Sequence, residues 1–112
     1  MAASALTPIT VVTTGAAVAL AAANADGNYF ANNTGRTVLL VKNAGAGSVN
    51  VTVNSQRACD QGFDHDLVVA VANDSVIVAI GPFTTSRFND GDGRVQITYS
   101  GVSSVTVAVL DQ

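Results

Sequence analysis

The chain has few of the residues on which disulfide formation, metal binding and catalysis depend. Its 112 residues include one cysteine, one histidine, no tryptophan and no glutamate. Because a single cysteine cannot form a disulfide within the chain, packing and hydrogen bonds must hold the fold together. Cys59 could act as a reactive thiol, but no second cysteine accompanies it, and we interpret it as incidental.

Charge is also scarce. Charged residues make up 12% of the chain, about half the usual share, and the formal net charge is -3. The five basic residues are scattered, whereas binding to nucleic acid needs clustered lysine and arginine. The sequence therefore predicts no nucleic-acid partner and a surface of small polar and apolar residues that suits burial against a protein.

No hydrophobic run is long enough to cross a bilayer. The longest, AAVALAAA at 16–23, is far below the roughly 18–20 residues that a membrane-spanning helix needs. No lysine or arginine precedes it, which disfavours a cleaved signal peptide. We expect no membrane partner.

Two short acidic stretches resemble metal sites but lack the ligands to form one. His65 lies between Asp64 and Asp66, and strand geometry would point the imidazole away from both carboxylates. NDGDG at 89–93 resembles part of a calcium loop, but the further ligands of an EF-hand do not follow. The sequence predicts a turn at 89–93, no bound metal and no cofactor.

Catalytic signatures are equally sparse. The only imidazole base is His65, no G-x-S-x-G motif frames a serine, and paired-carboxylate chemistry would have to rely on aspartates in turns. We predict that the chain is not an enzyme. The enzymatic alternative is a small hydrolase using Asp64, His65 and Asp66, whose activity would disappear in His65→Ala.

From Arg36 onward the dominant hydrophobic period is two, which indicates strands that bury one face. Short links rich in Gly, Asn and Ser favour antiparallel neighbours, and DLVVAVANDSVIVAIGPF is interpreted as a hairpin that Gly81-Pro82 ends. About eight strands predict an all-β, antiparallel two-sheet sandwich of jelly-roll character. The predicted strands include 49–53, 67–71, 76–80, 95–99 and 105–109.

The first 15 residues differ from the rest. Residues 1–15 are small, β-branched and uncharged, and we interpret them as an extended N-terminal arm or an edge strand. Residues 16–112 then form a single β-sandwich domain. An arm of this kind could add a strand to the sheet of a partner.

Some strands are apolar on both sides. In TVLLVK, Val38 and Leu40 fall on one face and Leu39 and Val41 on the other. A sandwich offers each strand only one core face, so the second face is expected to be covered by the arm or by another subunit. The predicted partner-interface residues are Leu6, Pro8, Ile9, Val11, Val12, Leu39, Val41, Val68 and Ile77.

The succession GRTVLLVKN, SVNVTVNS, VIVAIGPF, DGRVQITYS and SSVTVAVL resembles small β-rich virion proteins of tailed bacteriophages, of the capsid decoration or cement type. The resemblance covers about residues 27–111. It implies a non-enzymatic protein on the outer capsid surface, which binds and stabilises the shell through the major capsid protein. It also implies a homo-oligomer, with a trimer favoured, and no catalytic residues.

A carbohydrate- or cell-surface-binding β-sandwich module is the alternative function. Sugar-binding sandwiches usually stack a pyranose ring on an aromatic face. This chain has no tryptophan and only two tyrosines and four phenylalanines, about half of which the core would need. The sequence therefore favours the decoration protein over the sugar-binding module.

Overall fold

The computed structural model describes residues 3–55 and 66–111, which form two packed β-sheets. The strands in chain order are β1 (Ser4–Ala5), β2 (Ile9–Thr10), β3 (Ala21–Ala22), β4 (Asn28–Ala31), β5 (Thr37–Asn43), β6 (Val49–Val53), β7 (Leu67–Val71), β8 (Ile77–Ile80), β9 (Arg94–Tyr99) and β10 (Val105–Asp111). A single helical turn, α1 (Thr85–Phe88), lies between β8 and β9. The predicted all-β sandwich is confirmed.

The strand order is that of a jelly roll. The first sheet has the order β1-β4-β9-β6-β7, and the second has the order β2-β10-β5-β8, with β3 also pairing with β10. Four antiparallel strand pairs are nested in the sequence, from the outermost to the innermost: β3 with β10, β4 with β9, β5 with β8, and β6 with β7. Such nested pairing folds one long antiparallel ribbon across two sheets.

The strands predicted at 67–71 and 76–80 are present, but the predicted hairpin between them is wrong. β7 pairs with β6 in the first sheet, whereas β8 pairs with β5 in the second. In the turn between them Ser75 has φ 61°, and its backbone N–H donates to the Asn43 carbonyl at 3.1 Å. The chain therefore changes sheets here, as it also does at 44–48 and 100–104. A turn-rich link predicts a reversal but not which sheet the next strand joins.

The two sheets are mixed rather than wholly antiparallel, because the first two strands pair in parallel. β1 pairs with β4 in the first sheet, and β2 pairs with β10 in the second. The N-terminal segment thus crosses from the edge of one sheet to the edge of the other. Between the two strands, Leu6 is partly buried and packs against the core.

The core is formed mainly by valines from the inward faces of both sheets, closed by a group of three phenylalanines. Phe83 is fully buried, with ring centroids 5.7 Å from Phe30 and 5.4 Å from Phe88. Leu39 and Val41 are also fully buried between the sheets. Their predicted role as partner-interface residues is therefore wrong, since a partner could reach them only by separating the sheets.

One prediction concerns the turn before β4. Gly27 has φ 98°, and a Cβ there would meet the Ile97 carbonyl oxygen of the neighbouring strand. Gly27→Ala should therefore lower the free energy of unfolding by about 2 kcal/mol, measured by urea denaturation. Gly47→Ala is the matched control, because nothing lies within 4 Å of its added Cβ, and it should change stability by less than about 0.5 kcal/mol. Equal losses in the two variants would contradict the assigned strain.

Candidate functional site

The outward side of the second sheet is apolar. On β5, Leu40 lies opposite Ala79 of β8 and Ala108 of β10, and Val38 lies opposite Leu110. Residues opposite one another in register share a face of the sheet. We call this surface the apolar outer face, and it consists of Ile9, Val38, Leu40, Ile77, Ala79, Ala108 and Leu110.

Exposure varies across the apolar outer face. Ile77 is 50% exposed, whereas Val38 is only 9% exposed and Ala108 only 3%. Among the described strand residues that share this face, Lys42 is the one charged side chain, opposite Ile77 on one side and Thr106 on the other. The apolar outer face is therefore only partly open to solvent, and its most exposed residues, Ile77 and Ala79, lie on β8.

The position of Lys42 in the sequence indicates that Leu39 and Val41 lie on the inward side of β5. A lysine almost never faces a core without a partner, so Lys42 fixes which side of the strand is outward. Leu40 and Val38 share its side, because residues two apart on a strand point the same way. The sequence therefore contained the signal that Leu40, rather than Leu39, faces outward.

The N-terminal segment extends the apolar outer face. Ile9 lies beside Leu110 in the register of β2 with β10, and Pro8 before it is partly buried. Val11 and Val12 follow with 49% and 47% of their surface exposed. These residues are continuous with the sheet, so most of the predicted interface residues of the arm lie beside one apolar surface.

The other two predicted interface residues are exposed but belong to different sheets. Val68 is 55% exposed on the outward side of β7, the last strand of the first sheet. Ile77 lies on β8, the last strand of the second sheet. The structure therefore places Ile77 in the apolar outer face and leaves Val68 on the opposite side of the sandwich.

A small apolar cavity of about 380 Å³ lies beside the edge of β10, between β2 and β3. Leu6 and Ile9 from the N-terminal segment line it together with Val107 and Val109 of β10. Its lining contains no charged side chain. The cavity is therefore a gap between the core and the segment that closes the sandwich edge, and the Thr7 hydroxyl is the one polar side-chain group in its lining.

The outward side of the first sheet is polar, in contrast to the second. Asn50, Thr52 and Thr98 lie at its centre, and Tyr29 lies opposite Gln96. The guanidinium of Arg94 sits 5.0 Å from the centroid of the Tyr29 ring. Because the cation covers one face of this aromatic ring, that face is not free to stack against a ligand.

The acidic stretch at 89–93 forms a turn, as predicted. Asp90 Oδ2 accepts a hydrogen bond from Gln96 Nε2 at 2.9 Å, and Oδ1 accepts from the backbone N–H groups of Asp92 and Arg94. The bond from Gln96 and the two backbone bonds lower the pKa of Asp90, since they stabilise the carboxylate. The carboxylate of Asp90 is thus used to hold the turn that leads into β9.

The described part of the chain, 3–55 and 66–111, contains no group of three or more metal-ligating side chains. No helix in the same residues is long and apolar enough to cross a membrane. Cys59, Asp64 and His65 lie outside the described residues, so the hypotheses about them stay predictions. Asp66 accepts a hydrogen bond from the Ser55 backbone N–H at 2.9 Å.

Comparison with models of protein families, with curated proteins and with solved structures finds no match to this chain. The candidate site is therefore defined by its own geometry.

Proposed function

We propose that this chain is a non-enzymatic virion structural protein that binds the outside of a tailed-phage capsid and stabilises the shell. The observation that carries the proposal is the apolar outer face of the second sheet. The sequence resemblance supplies the class of partner, which is the major capsid protein.

The physical argument begins with the outward side of β5. Leu40 is only partly buried at the centre of the sheet, and its neighbours across the strands are the small residues Ala79 and Ala108. Ala108 is already buried, whereas Ala79 is exposed, so side chains of a partner could approach Leu40 from the β8 side. Removing such apolar surface from water is favourable by roughly 25 cal/mol per Å².

The N-terminal segment enlarges the same surface. Val11 and Val12 are about half exposed beside the edge that Ile9 joins. A partner that covers the sheet could therefore cover this segment as well. A broad, nearly uncharged protein surface suits a second broad protein surface better than it suits a small polar substrate.

The test uses one glutamate on each side of the sandwich. Leu40→Glu places a carboxylate at the centre of the apolar outer face, near Lys42, so the isolated domain should remain folded. Thr52→Glu is the matched control, because Thr52 occupies a central outward position on the first sheet. Each variant is mixed with shells assembled from the major capsid protein encoded nearest to the gene and is then sedimented.

We expect the unmodified chain and Thr52→Glu to sediment with the shells, and Leu40→Glu to bind at least tenfold more weakly, equivalent to about 1.4 kcal/mol. Equal binding by both variants would show that the apolar outer face is not the attachment surface. Failure of the unmodified chain to bind assembled shells would overturn the proposed function itself.

The carbohydrate-binding alternative has one feature in its favour, which is the polar outward side of the first sheet with Tyr29 at one edge. Sugar binding would need the Arg94 guanidinium to leave one face of that ring or would use the opposite face. Binding of the isolated chain to a glycan array, abolished in Tyr29→Ala, would support this alternative. Binding confined to assembled shells would support the decoration protein.

A further inference from the structure

The last strand of the second sheet has backbone groups that no described strand pairs with. β8 pairs with β5 through Val78 opposite Val41 and Ile80 opposite Leu39. The carbonyl groups of Thr37 and Asn43, at the two ends of β5, also accept hydrogen bonds from this side. Consecutive residues of a strand direct their N–H and C=O groups to opposite sides.

The backbone N–H and C=O groups of the odd-numbered residues of β5 therefore point toward β8, and those of Val78 and Ile80 point toward β5. Ile77 and Ala79 direct their N–H and C=O groups away from the sheet, where β8 ends the strand order. Such an edge can accept one more strand.

Two usual protections of an edge strand, charged side chains and prolines, are absent from the sequence of β8 itself. Charged side chains, prolines and covering segments discourage an exposed edge from pairing with another chain. The stretch from 75 to 81 contains no charged residue and no proline, and Val76 and Ile77 are 58% and 50% exposed. At the opposite end of the same sheet, by contrast, β2 and β3 cover part of the edge of β10.

Two copies of β8 have complementary side chains when they pair antiparallel. Antiparallel pairing of two copies centred on Val78 places Ile77 of one copy opposite Ala79 of the other, on the outward side. These are the residues whose backbone groups are directed outward, so each such pair can exchange two hydrogen bonds. A large side chain then meets a small one in both pairs.

We propose that β8 of one copy pairs antiparallel with β8 of a second copy across a twofold axis. The second sheets of the two copies then form one continuous sheet. An isologous contact of this kind uses the same strand on both copies and closes at a dimer.

Charge favours the antiparallel arrangement. Asp74 is the nearest charged residue before β8, and it lies four residues from Val78. Antiparallel pairing places the two copies of Asp74 at opposite ends, roughly 25 Å apart at about 3.3 Å per residue. Parallel pairing would place the two carboxylates side by side, where they would repel each other.

The dimer also joins the apolar outer faces of the two copies. The row that runs from Ala108 through Leu40 to Ala79 would continue into Ile77 of the second copy. This inference concerns self-association and stands whether or not the chain binds a capsid. The trimer that the sequence resemblance implies would require a different contact.

The first experiment measures the association state by sedimentation equilibrium from about 1 to 200 μM. The unmodified chain should dimerise, and Ala79→Lys should raise the dissociation constant at least tenfold, because it places a charge beside the new strand pair. Ala22→Lys is the matched control. It is an exposed alanine on the outward side of the same sheet, beside Thr106 at the opposite edge, and it should dimerise like the unmodified chain.

The second experiment tests the register with introduced thiols in a Cys59→Ser background. Ile77→Cys protein is mixed with Ala79→Cys protein under mild oxidation. Opposed residues in a hydrogen-bonded pair lie about 5.5 Å apart at Cα, a separation that a disulfide can bridge. The two copies of position 77, and likewise the two copies of position 79, lie roughly 7–8 Å apart on the diagonal of the strand pair. Ile77→Cys protein alone and Ala79→Cys protein alone should therefore each cross-link poorly.

A covalent dimer formed mainly in the mixture would support pairing through β8 in the proposed register. A corresponding mixture of Val68→Cys and Ala70→Cys proteins tests the last strand of the first sheet. Preferential cross-linking of that mixture would overturn the assignment to β8. A monomer throughout the concentration range, or a trimer unaffected by Ala79→Lys, would overturn the proposal while leaving the shell-binding experiment unaffected.

Discussion

Asn32→Asp should lower the free energy of unfolding by about 4 kcal/mol, within the range for an uncompensated buried charge. Asn32 is fully buried. Its Nδ2 donates to the Phe83 carbonyl and to Asn89 Oδ1, each at 2.9 Å. Its Oδ1 accepts from the Thr37 hydroxyl at 2.9 Å and from the Gly35 backbone N–H at 3.1 Å.

The aspartate would keep the shape of Asn32 but lose both donated hydrogen bonds. Its carboxylate would face the two oxygen atoms of Phe83 and Asn89 in a fully buried site, and burial would favour the protonated acid. The folded-state pKa of this carboxyl would thus lie above its unfolded value. The destabilisation should be complete above the folded-state pKa and should shrink as the pH falls toward the unfolded value of about 3.9.

Asn33→Asp is the matched control, because the neighbouring side chain is exposed. It should change stability by less than about 0.5 kcal/mol. Urea unfolding of both variants at pH 7 and pH 4.5 separates burial of the charge from a general effect of added negative charge. A loss in Asn33→Asp as large as that in Asn32→Asp would contradict the role assigned to the buried amide.

Phe83→Ala should also cost about 4 kcal/mol, within the range for removing a fully buried aromatic ring. Phe83 joins Phe30 and Phe88 in one aromatic cluster, and its contact with Phe88 is edge-to-face at 80°. The alanine would leave a cavity between the sheets, and both neighbouring rings would lose a partner. Thermal and urea unfolding, followed by circular dichroism, measure the loss.

Tyr29→Ala is the matched control. It removes an aromatic ring of similar size from the outward face of the first sheet and should cost less than about 1 kcal/mol.

The double variant Phe83→Ala, Phe88→Ala should lose less stability than the sum of the two single losses, because the two rings contact each other. If Phe83→Ala does not fold, Phe83→Leu provides a milder measurement of the same site. Additive losses would show that the rings contribute independently.

The buried asparagines were not recognised from the sequence, although a signal was present. Asn32 and Asn43 are buried and precede a glycine by three and two residues, respectively, a spacing typical of turns that an asparagine side chain holds together. Asn43 donates from Nδ2 to the Gly47 carbonyl at 2.9 Å and accepts from the Gly45 N–H at 3.0 Å. What the spacing could not reveal is their reach to distant strands, such as the bond from Asn43 to the Val71 carbonyl.

The candidate surface was predicted only in part. Exposure of Val11, Val12, Val68 and Ile77 agrees with an outward position for these apolar residues. Leu40, Ala79 and Leu110 were overlooked, although the alternation that includes Lys42 places Leu40 outward. Grouping these residues on one sheet depended on knowing that β5 lies between β8 and β10.

The sequence by itself determined the class of fold, because a period of two over most of the chain buries one side of each strand and leaves too little room for helices. It also determined where most of the longer strands lie, since Gly, Asn and Pro interrupt the apolar runs. Tertiary structure decided which strands are neighbours. Hydrogen bonds such as those between β3 and β10 join residues about 85 positions apart, and local patterns do not encode such long-range choices. The crossing of β7 and β8 into different sheets, and the apolar face that this pairing assembles, therefore followed only from packing the whole chain.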